Sequence, residues 1–222
     1  MDWPLLDCLD PGKRAAVVGA AHRRTFARGE VVFHEGDPAD SVHLVVTGHL
    51  AVRVSTADGA TATLNLLGPG ETFGELSLLG QPDAPNRSAT VVCLDPVETR
   101  AIAGSAFRAL CEASPGAEAW VAGLLARRVR DLSDRVRDLM FVGLDRRLYS
   151  CLLALAERYD DGDDAAVVPL TQEHLAQFVG STRGSVNEVL QRLAAQRIVE
   201  IGRGRITVLD RAALRRKSGA GG

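Results

Sequence analysis

Between Arg24 and Ala103 the sequence breaks into short apolar runs at close, even intervals. They are Val31–Phe33, Val42–Val46, Leu50–Val54, Ala62–Leu66, Ala89–Leu94 and Val97–Ala103. The first five are separated by turn signals: Arg28-Gly29 before them, then Gly36-Asp37-Pro38, Thr47-Gly48, Asp58-Gly59 and Gly68-Pro69-Gly70. Runs this short cannot make helices. Bounded by glycine and proline, they predict antiparallel strands in a sandwich or jelly roll. Ahead of them, Asp10-Pro11 predicts a short helix, with Asp10 as cap and Pro11 at its first position.

One stretch inside this β region differs in kind. Gly68–Thr90 (GPGETFGELSLLGQPDAPNRSAT) combines four glycines with Glu75, Arg87, Ser88 and Thr90. Glycines permit close backbone approach and positive φ. A short helix beginning after Gly74 would turn free N–H groups toward an anion. Arg87 can hold two phosphate oxygens through its planar fork. Glu75 would be repelled by a phosphate, so its use there is to accept from a ligand hydroxyl such as a ribose 2′-OH. The plainer alternative is a glycine-rich turn followed by a surface arginine.

Beyond Ala103 the period changes to helical. Ser105 is expected to cap a short helix over Ala106–Glu112, and Ser114-Pro115 restarts helix. From there Val121, Leu125, Val129, Leu132, Val136 and Leu139 alternate spacings of four and three, a heptad seam with charged residues on its other faces. The seam could lie on its own domain or pair in parallel with a second subunit; its strict spacing and charged remainder favour the dimer. Val142-Gly143 is the natural hinge, since glycine weakens helix by about 1 kcal/mol relative to alanine. Leu144–Arg158 is the next helix, followed by an acidic loop, Tyr159–Ala166.

The C-terminal part reads as helix, tight turn, helix. Thr171 and Thr182 are the caps, Gly180-Ser181 the turn, and Leu175, Val179, Val186, Leu190 and Leu193 the apolar contact, with Ala176 small at the crossing. Ile198–Ile201 and Ile206–Leu209 add a hairpin with Arg203 and Arg205 at its tip. A helix-turn-helix with such a wing is a DNA-reading unit. Arg183, in the first turn of the second helix, suits guanine O6 and N7, a pair worth about 1–3 kcal/mol of discrimination. Thr171, Thr182, Ser185, Arg203 and Arg205 suit phosphates.

Composition bounds the alternatives. Of 222 residues, 24% are charged and 46% hydrophobic, as in ordinary globular chains. The net charge of −2 argues against a general nucleic-acid binder but leaves room for a local basic face. Residues 143–222, however, hold 12 basic against 10 acidic side chains, and the remainder 14 against 18. Cys8, Cys93, Cys111 and Cys151 lack metal-ligand spacing, and reduced thiols in a cytosolic protein are the reading. No apolar run reaches 18 residues, so no membrane association is expected. Phosphate-loop, zinc-protease and serine-hydrolase motifs are absent, and the chain is not read as an enzyme.

Taken together, RGEVVFHEGDPADSVHLVVTGHLAV, the cassette GETFGELSLL…NRSAT, the long helix and the winged TRGSVNEVL region resemble the cyclic-AMP receptor protein/fumarate–nitrate regulator (CRP/FNR) family of bacterial transcription factors. The resemblance spans residues 10–210. It implies an α+β chain with an N-terminal antiparallel β-roll (jelly-roll) cyclic-nucleotide-binding domain over 1–114, a dimerisation helix over 115–142 and a winged helix-turn-helix over 143–222. It implies a homodimer on a palindromic operator in double-stranded DNA, with RNA polymerase as a further partner and no resident cofactor. The implied effector is cyclic AMP or another cyclic nucleotide. Gly74 and Ser88 would donate backbone or hydroxyl hydrogen bonds to the cyclic phosphate, Arg87 would pair with it, Glu75 would take the ribose 2′-OH, Arg128 would steady Glu75, and Leu76 would also belong to the ligand site.

Two departures from the family pattern qualify that picture. Where an adjacent Thr and Ser meet the base, this chain has Leu132-Ser133, and Leu132 offers no hydrogen bond to an adenine edge. Weak binding, a different cyclic nucleotide, or no ligand with the dimer pre-set therefore stand beside cyclic AMP. On the recognition helix, Gly184 replaces a cytosine-reading Glu and Glu188 a guanine-reading Arg, so the operator should differ from the cyclic-AMP-receptor consensus. A nucleotide-binding module acting only through protein contacts is the remaining rival. Haem sensing is disfavoured, His34, His43 and His49 being read as strand histidines.

Overall fold

The structure is a computed structural model and describes residues 3–7, 9–80, 86–159 and 165–219. Residues 81–85 of the glycine-rich cassette, most of the acidic loop (160–164) and Cys8 lie outside the described residues. The chain forms two compact units. One comprises the residues up to Ala60 with Leu64–Asp131; the other comprises Thr61–Thr63 with Leu132–Gly222.

The first unit opens with a 3₁₀ turn, Pro4–Leu6, and helix α1 (Pro11–Ala20), whose cap Asp10 accepts from the Lys13 N–H at 2.9 Å. The strands are β1 (His22–Phe26), β2 (Val31–Phe33), β3 (Ser41–Thr47), β4 (Leu50–Ser55), β5 (Thr61–Leu67), β6 (Thr72–Phe73), β7 (Thr90–Cys93) and β8 (Val97–Ala103), with the short helix α2 (Leu76–Gly80) between β6 and β7. They form two four-stranded sheets, ordered β1-β8-β3-β6 and β2-β7-β4-β5. The described pairings are antiparallel. The expected β-roll is therefore present, with two strands that the apolar pattern did not reveal. β1 (HRRTF) buries only Phe26, and β6 is two residues long.

Strand β3 shows how the sheets divide the core. Side chains alternate across a strand, so Val42 and Leu44 face one cluster and Val45 the other. The first cluster joins Trp3, Leu5, Leu6 and Ile102 to Phe107 of helix α3 (Gly104–Ala113) and Val121 of helix α4 (Pro115–Phe141). The second fills the interior of the roll with Phe26, Leu50, Leu67, Phe73, Val91 and Val97.

Three local expectations are corrected. Helix α3 begins at Gly104 without a side-chain cap from Ser105. The Gly104 N–H donates to the Asp40 carbonyl at 2.6 Å, so a bond to the preceding loop anchors the first turn instead. His34 and His49 lie outside the strands, and only His43 is in one. His49 sits in the turn before β4, where Asp95 holds both its backbone N–H and its ring Nδ1.

Helix α4 has 27 residues. It ends at Phe141, and Gly143 then takes an extended conformation as the N-cap of α5 (Leu144–Arg158). In the second unit follow β9 (Ala166–Val168), α6 (Gln172–Val179), α7 (Arg183–Ala195), β10 (Val199–Gly202), β11 (Arg205–Val208) and α8 (Arg211–Ser218). Thr171 caps α6 in a capping box with His174, Gly180 closes it in the left-handed conformation at φ 63°, and Thr182 caps α7. Leu175, Ala176, Val179, Val186, Leu190 and Leu193 are all buried. The wing is a three-stranded antiparallel sheet, β10-β11-β9; its third strand and α8 were not anticipated. β9 follows the acidic loop and is too short to show a period. Among the described residues no helix is long and apolar enough to cross a membrane.

Candidate ligand pocket and nucleic-acid interface

A narrow cleft of about 30 Å³ opens in the first unit. Phe33, Val52, Phe73 and Val91 give it apolar walls; Gly74, Glu75, Ser77, Ser88 and Arg128 supply its polar side, with Leu76 and Ala89 between. Glycine is required at position 74. Its φ is 87°, and a Cβ would stand 2.7 Å from Arg87 Nη1 and 3.0 Å from the Ser41 carbonyl.

Glu75 is fully buried. Its Oε1 lies 3.0 Å from Arg128 Nη2, yet neither carboxylate oxygen has a directional hydrogen bond. Burial raises its pKa above the usual carboxylate value, and the charges of Arg128 and Arg87 and its own backbone N–H oppose the shift. A desolvated carboxylate with open acceptor sites is an incomplete arrangement. A ligand hydroxyl entering the cleft would complete it.

Arg87 is held from several sides. Its Nη1 donates to the carbonyls of Ser41 (2.8 Å) and Gly74 (3.3 Å), and its Nη2 to Ser41 Oγ (3.1 Å) and Asp40 Oδ1 (3.2 Å). The guanidinium also stacks 4.0 Å over the Phe33 ring. Nε is buried and has no hydrogen-bond partner. Desolvation lowers the Arg87 pKa, against the support of Asp40, Asp37 and Glu75. Arg87 is not among the side chains lining the cleft; it lies behind Gly74, whose carbonyl it holds.

Sequence reasoning missed the residues that fix this arginine: Asp40, Ser41, Phe33 and, behind them, His43. The His43 ring bonds to Ser41 Oγ and Thr99 Oγ1 and stacks on Phe73 with centroids 4.9 Å apart. Burial, then Arg87 and Arg24, push its pKa down to about 4, so it is neutral at pH 7. Leu132 and Ser133 belong to the second unit and are exposed on α4, one turn beyond Arg128.

In the second unit a groove of about 430 Å³ runs between the start of α6, Arg183 and the wing turn Gly202–Ile206. Thr171, Arg183, Arg203 and Arg205 line it together with Gln172 and Glu173. Arg183, Gly184, Glu188, Arg203 and Arg205 are exposed. The Thr171 and Thr182 hydroxyl oxygens accept from His174 and Ser185 N–H at 3.2 Å, which leaves the Thr171 hydroxyl hydrogen, and one of the two on Thr182 and Ser185, able to donate outward. Ser185 Oγ shares a bond with Thr182 Oγ1 at 3.0 Å. Asn187 was also missed: its Oδ1 accepts from Gln172 Nε2 at 3.0 Å.

Residues 23–114 match the family model for the cyclic nucleotide-binding domain, and residues 146–217 the Crp-like helix-turn-helix domain. The chain is 30% identical to the CRP-like cAMP-activated global transcriptional regulator of Mycobacterium tuberculosis over 95% of its own length and 94% of the relative's. It is 32% identical to the cyclic AMP receptor protein of Thermus thermophilus over the same shares. A crp/fnr-family regulator from Eubacterium rectale has the same fold, with a TM-score of 0.78 at 20% identity over 98% of both chains. A CRP-family regulator from T. thermophilus superposes with a TM-score of 0.73 at 28% identity, covering 88% of this chain and 96% of that one. The chain thus belongs to the CRP/FNR family of bacterial transcription regulators and carries a cyclic-nucleotide-binding and a helix-turn-helix domain.

Proposed function

We propose that this protein is a homodimeric regulator, gated by a cyclic nucleotide, that binds a palindromic DNA operator. The observation that carries the gating is Glu75: a fully buried carboxylate whose oxygens lack hydrogen bonds, steadied by Arg128, in the same cleft as Gly74 and Ser88. Glu75 accepts the ribose 2′-OH. Arg87 pairs with the cyclic phosphate once its guanidinium turns out from behind Gly74, exchanging its bonds to Gly74, Ser41 and Asp40 for phosphate oxygens, and Gly74 and Ser88 border that phosphate. Its relatives from M. tuberculosis and T. thermophilus, named as cAMP-activated and cyclic AMP receptor, favour cyclic AMP.

The dimer is formed along α4, where Leu125, Val129, Leu132, Val136 and Leu139 are each more than a third exposed. With the heads about one DNA turn apart, roughly 34 Å, two recognition helices read successive half-sites. Thr171, Thr182, Ser185, Arg203 and Arg205 hold phosphates, while Arg183 and Glu188 face base edges beside the bare Gly184. Residues 1–114, 115–142 and 143–222 then act as sensor, dimer helix and reading head, in the cytosol and in contact with RNA polymerase. The ligand acts only through its differential affinity for the two states.

A second reading, favoured by the apolar Leu132, keeps the DNA head but dispenses with the nucleotide. Calorimetry with cyclic AMP and cyclic GMP separates the two. Binding at micromolar to millimolar ligand supports gating; no heat with either at millimolar concentration leaves the ligand-free regulator.

A further inference from the structure

The outer face of α7 is unusual in what it lacks. Val186, Val189, Leu190 and Leu193 turn inward and are buried. The opposite side, at helical spacing, is Gly184, Glu188 and Gln191, with Arg183 and Asn187 together on one flank, four residues apart. Gly184 is not demanded by the backbone: it has no positive φ, and a Cβ there would meet only Thr182 Oγ1, at 3.9 Å. A glycine that weakens a helix by about 1 kcal/mol relative to alanine, without conformational or packing need, leaves the centre of the groove-facing surface bare. A helix so stripped can lie closer to the base edges, and a short side chain beside the gap comes within reach of them.

Asn187 is that side chain, and it is held in place. Gln172, at the first turn of α6, donates from Nε2 to Asn187 Oδ1 at 3.0 Å, and both residues are half-buried. Gln172 also lines the groove between Arg183 and the wing. The bond uses Nε2 of Gln172 and Oδ1 of Asn187, which leaves Nδ2 of Asn187 as a donor and Oε1 of Gln172 as an acceptor within one tied pair of amides. A donor next to an acceptor is the complement of adenine in the major groove, where N7 accepts and N6–H₂ donates.

We infer that Gln172 and Asn187 form a second base-reading element, selecting an A·T pair in each half-site beside the pair met by Arg183. Asn187 touches the base; Gln172 is the positioning partner and supplies the acceptor. This rests on the helix-turn-helix acting as a DNA-reading head.

The test is operator selection from random double-stranded DNA with the full-length protein, adding each cyclic nucleotide in turn. Wild type, Arg183→Ala, Asn187→Ala, Asn187→Asp and Gln172→Ala are compared, with thermal unfolding as control. Asn187→Ala should abolish an adenine preference at one position per half-site, a loss of roughly 5- to 150-fold in discrimination, and leave the Arg183 position intact. Asn187→Asp keeps the shape and the bond from Gln172 but has no donor, so preference at that position should move toward cytosine, whose N4 donates. Gln172→Ala should weaken the adenine preference without moving it.

Identical base preferences in wild type and both Asn187 variants overturn the inference. So does a uniform loss of affinity across all sequences, which marks the amide pair as a structural tie between α6 and α7. Arg183→Ala should lose the preference at its own position and keep the adenine preference, whereas a wild type that enriches no sequence under any ligand condition fails at the DNA-reading head itself and takes the inference with it.

Discussion

Arg147 Nη1 donates to the Val142 carbonyl at 2.6 Å, across the glycine that separates α4 from α5. The same guanidinium donates from Nε to the Val179 carbonyl at 3.1 Å, and Arg135 Nη2 donates to the neighbouring Phe178 carbonyl at 2.6 Å. The last carbonyls of a helix have no partner within it. Here two arginines satisfy the end of α6, and one of them also spans the break at Gly143. Arg147→Ala should cost about 1–3 kcal/mol, the range for exposing partners of a charged donor. It should also speed amide exchange at Val142, whose N–H donates to the Asp138 carbonyl at the end of α4. Arg147→Lys should recover little, because a point charge cannot reproduce the fork. Urea unfolding with hydrogen exchange measures both.

Glu75 gives a pH-dependent prediction. Its folded pKa lies above its ordinary value of 4.5. The unfolded chain therefore gives up the proton first as pH rises, and stability falls between 4.5 and the folded value. Glu75→Gln removes that loss. It should raise the melting temperature at pH 7, with a gain that shrinks as pH falls toward 4.5. The same variant should weaken cyclic-nucleotide binding by about 10- to 100-fold, as a charge-assisted hydrogen bond of roughly 1.5–3 kcal/mol is lost. Melting scans at several pH values and calorimetry test the two halves separately. An equal fall in both would contradict the assignment.

His43 has the opposite dependence. Its pKa is pushed down to about 4, so the unfolded chain takes up a proton near pH 6.5 while the folded one does not. Stability should fall as pH drops from about 6.5 to 4, by up to about 3 kcal/mol from this one group. His43→Gln should flatten that part of the pH–stability curve in denaturant titrations and leave the curve above pH 7 parallel to wild type.

Gly74→Ala tests the packing behind the cleft. Positive φ and a contact at 2.7 Å with Arg87 Nη1 act together. The backbone term alone is about 1–3 kcal/mol, and Arg87 must shift as well. The variant should be destabilised by at least that much in urea and should lose nucleotide binding. Gly59→Ala, also at positive φ (87°) but with open space around it, should show the backbone cost alone.

The strands with apolar periods, the two threonine caps, Gly180 and the inter-helical contacts were legible because each depends on local chemistry. β1 was hidden because four of its five side chains are exposed, so tertiary pairing with β8 makes it a strand. Asp40, Ser41 and His43 were illegible for a related reason. They reach Arg87 across 44 to 47 positions of sequence, and only the folded sheets bring them together. Glu75 could be picked out as odd beside a phosphate-like loop, but the ion pair with Arg128, far along the chain, was supplied by resemblance and not by any spacing. Gln172 and Asn187, 15 residues apart on two helices, carried no signal at all.

The seam along α4 supports the last prediction. Val129 is 63% exposed and Val136 55%, one heptad apart. Valines at this exposure repay little as monomer surface, and pairing with a second copy removes them from water at roughly 25 cal/mol per Å². Val129→Glu with Val136→Glu places like charges where two copies would meet, and neither residue fills a core in its own chain. The double variant should keep its melting temperature to within a few degrees at low concentration. It should sediment as a monomer where wild type sediments as a dimer. It should also lose palindrome affinity steeply while still binding isolated half-sites weakly, because each reading head is intact. A variant that sediments as a dimer would place the interface elsewhere on the chain and leave the exposed seam for another partner.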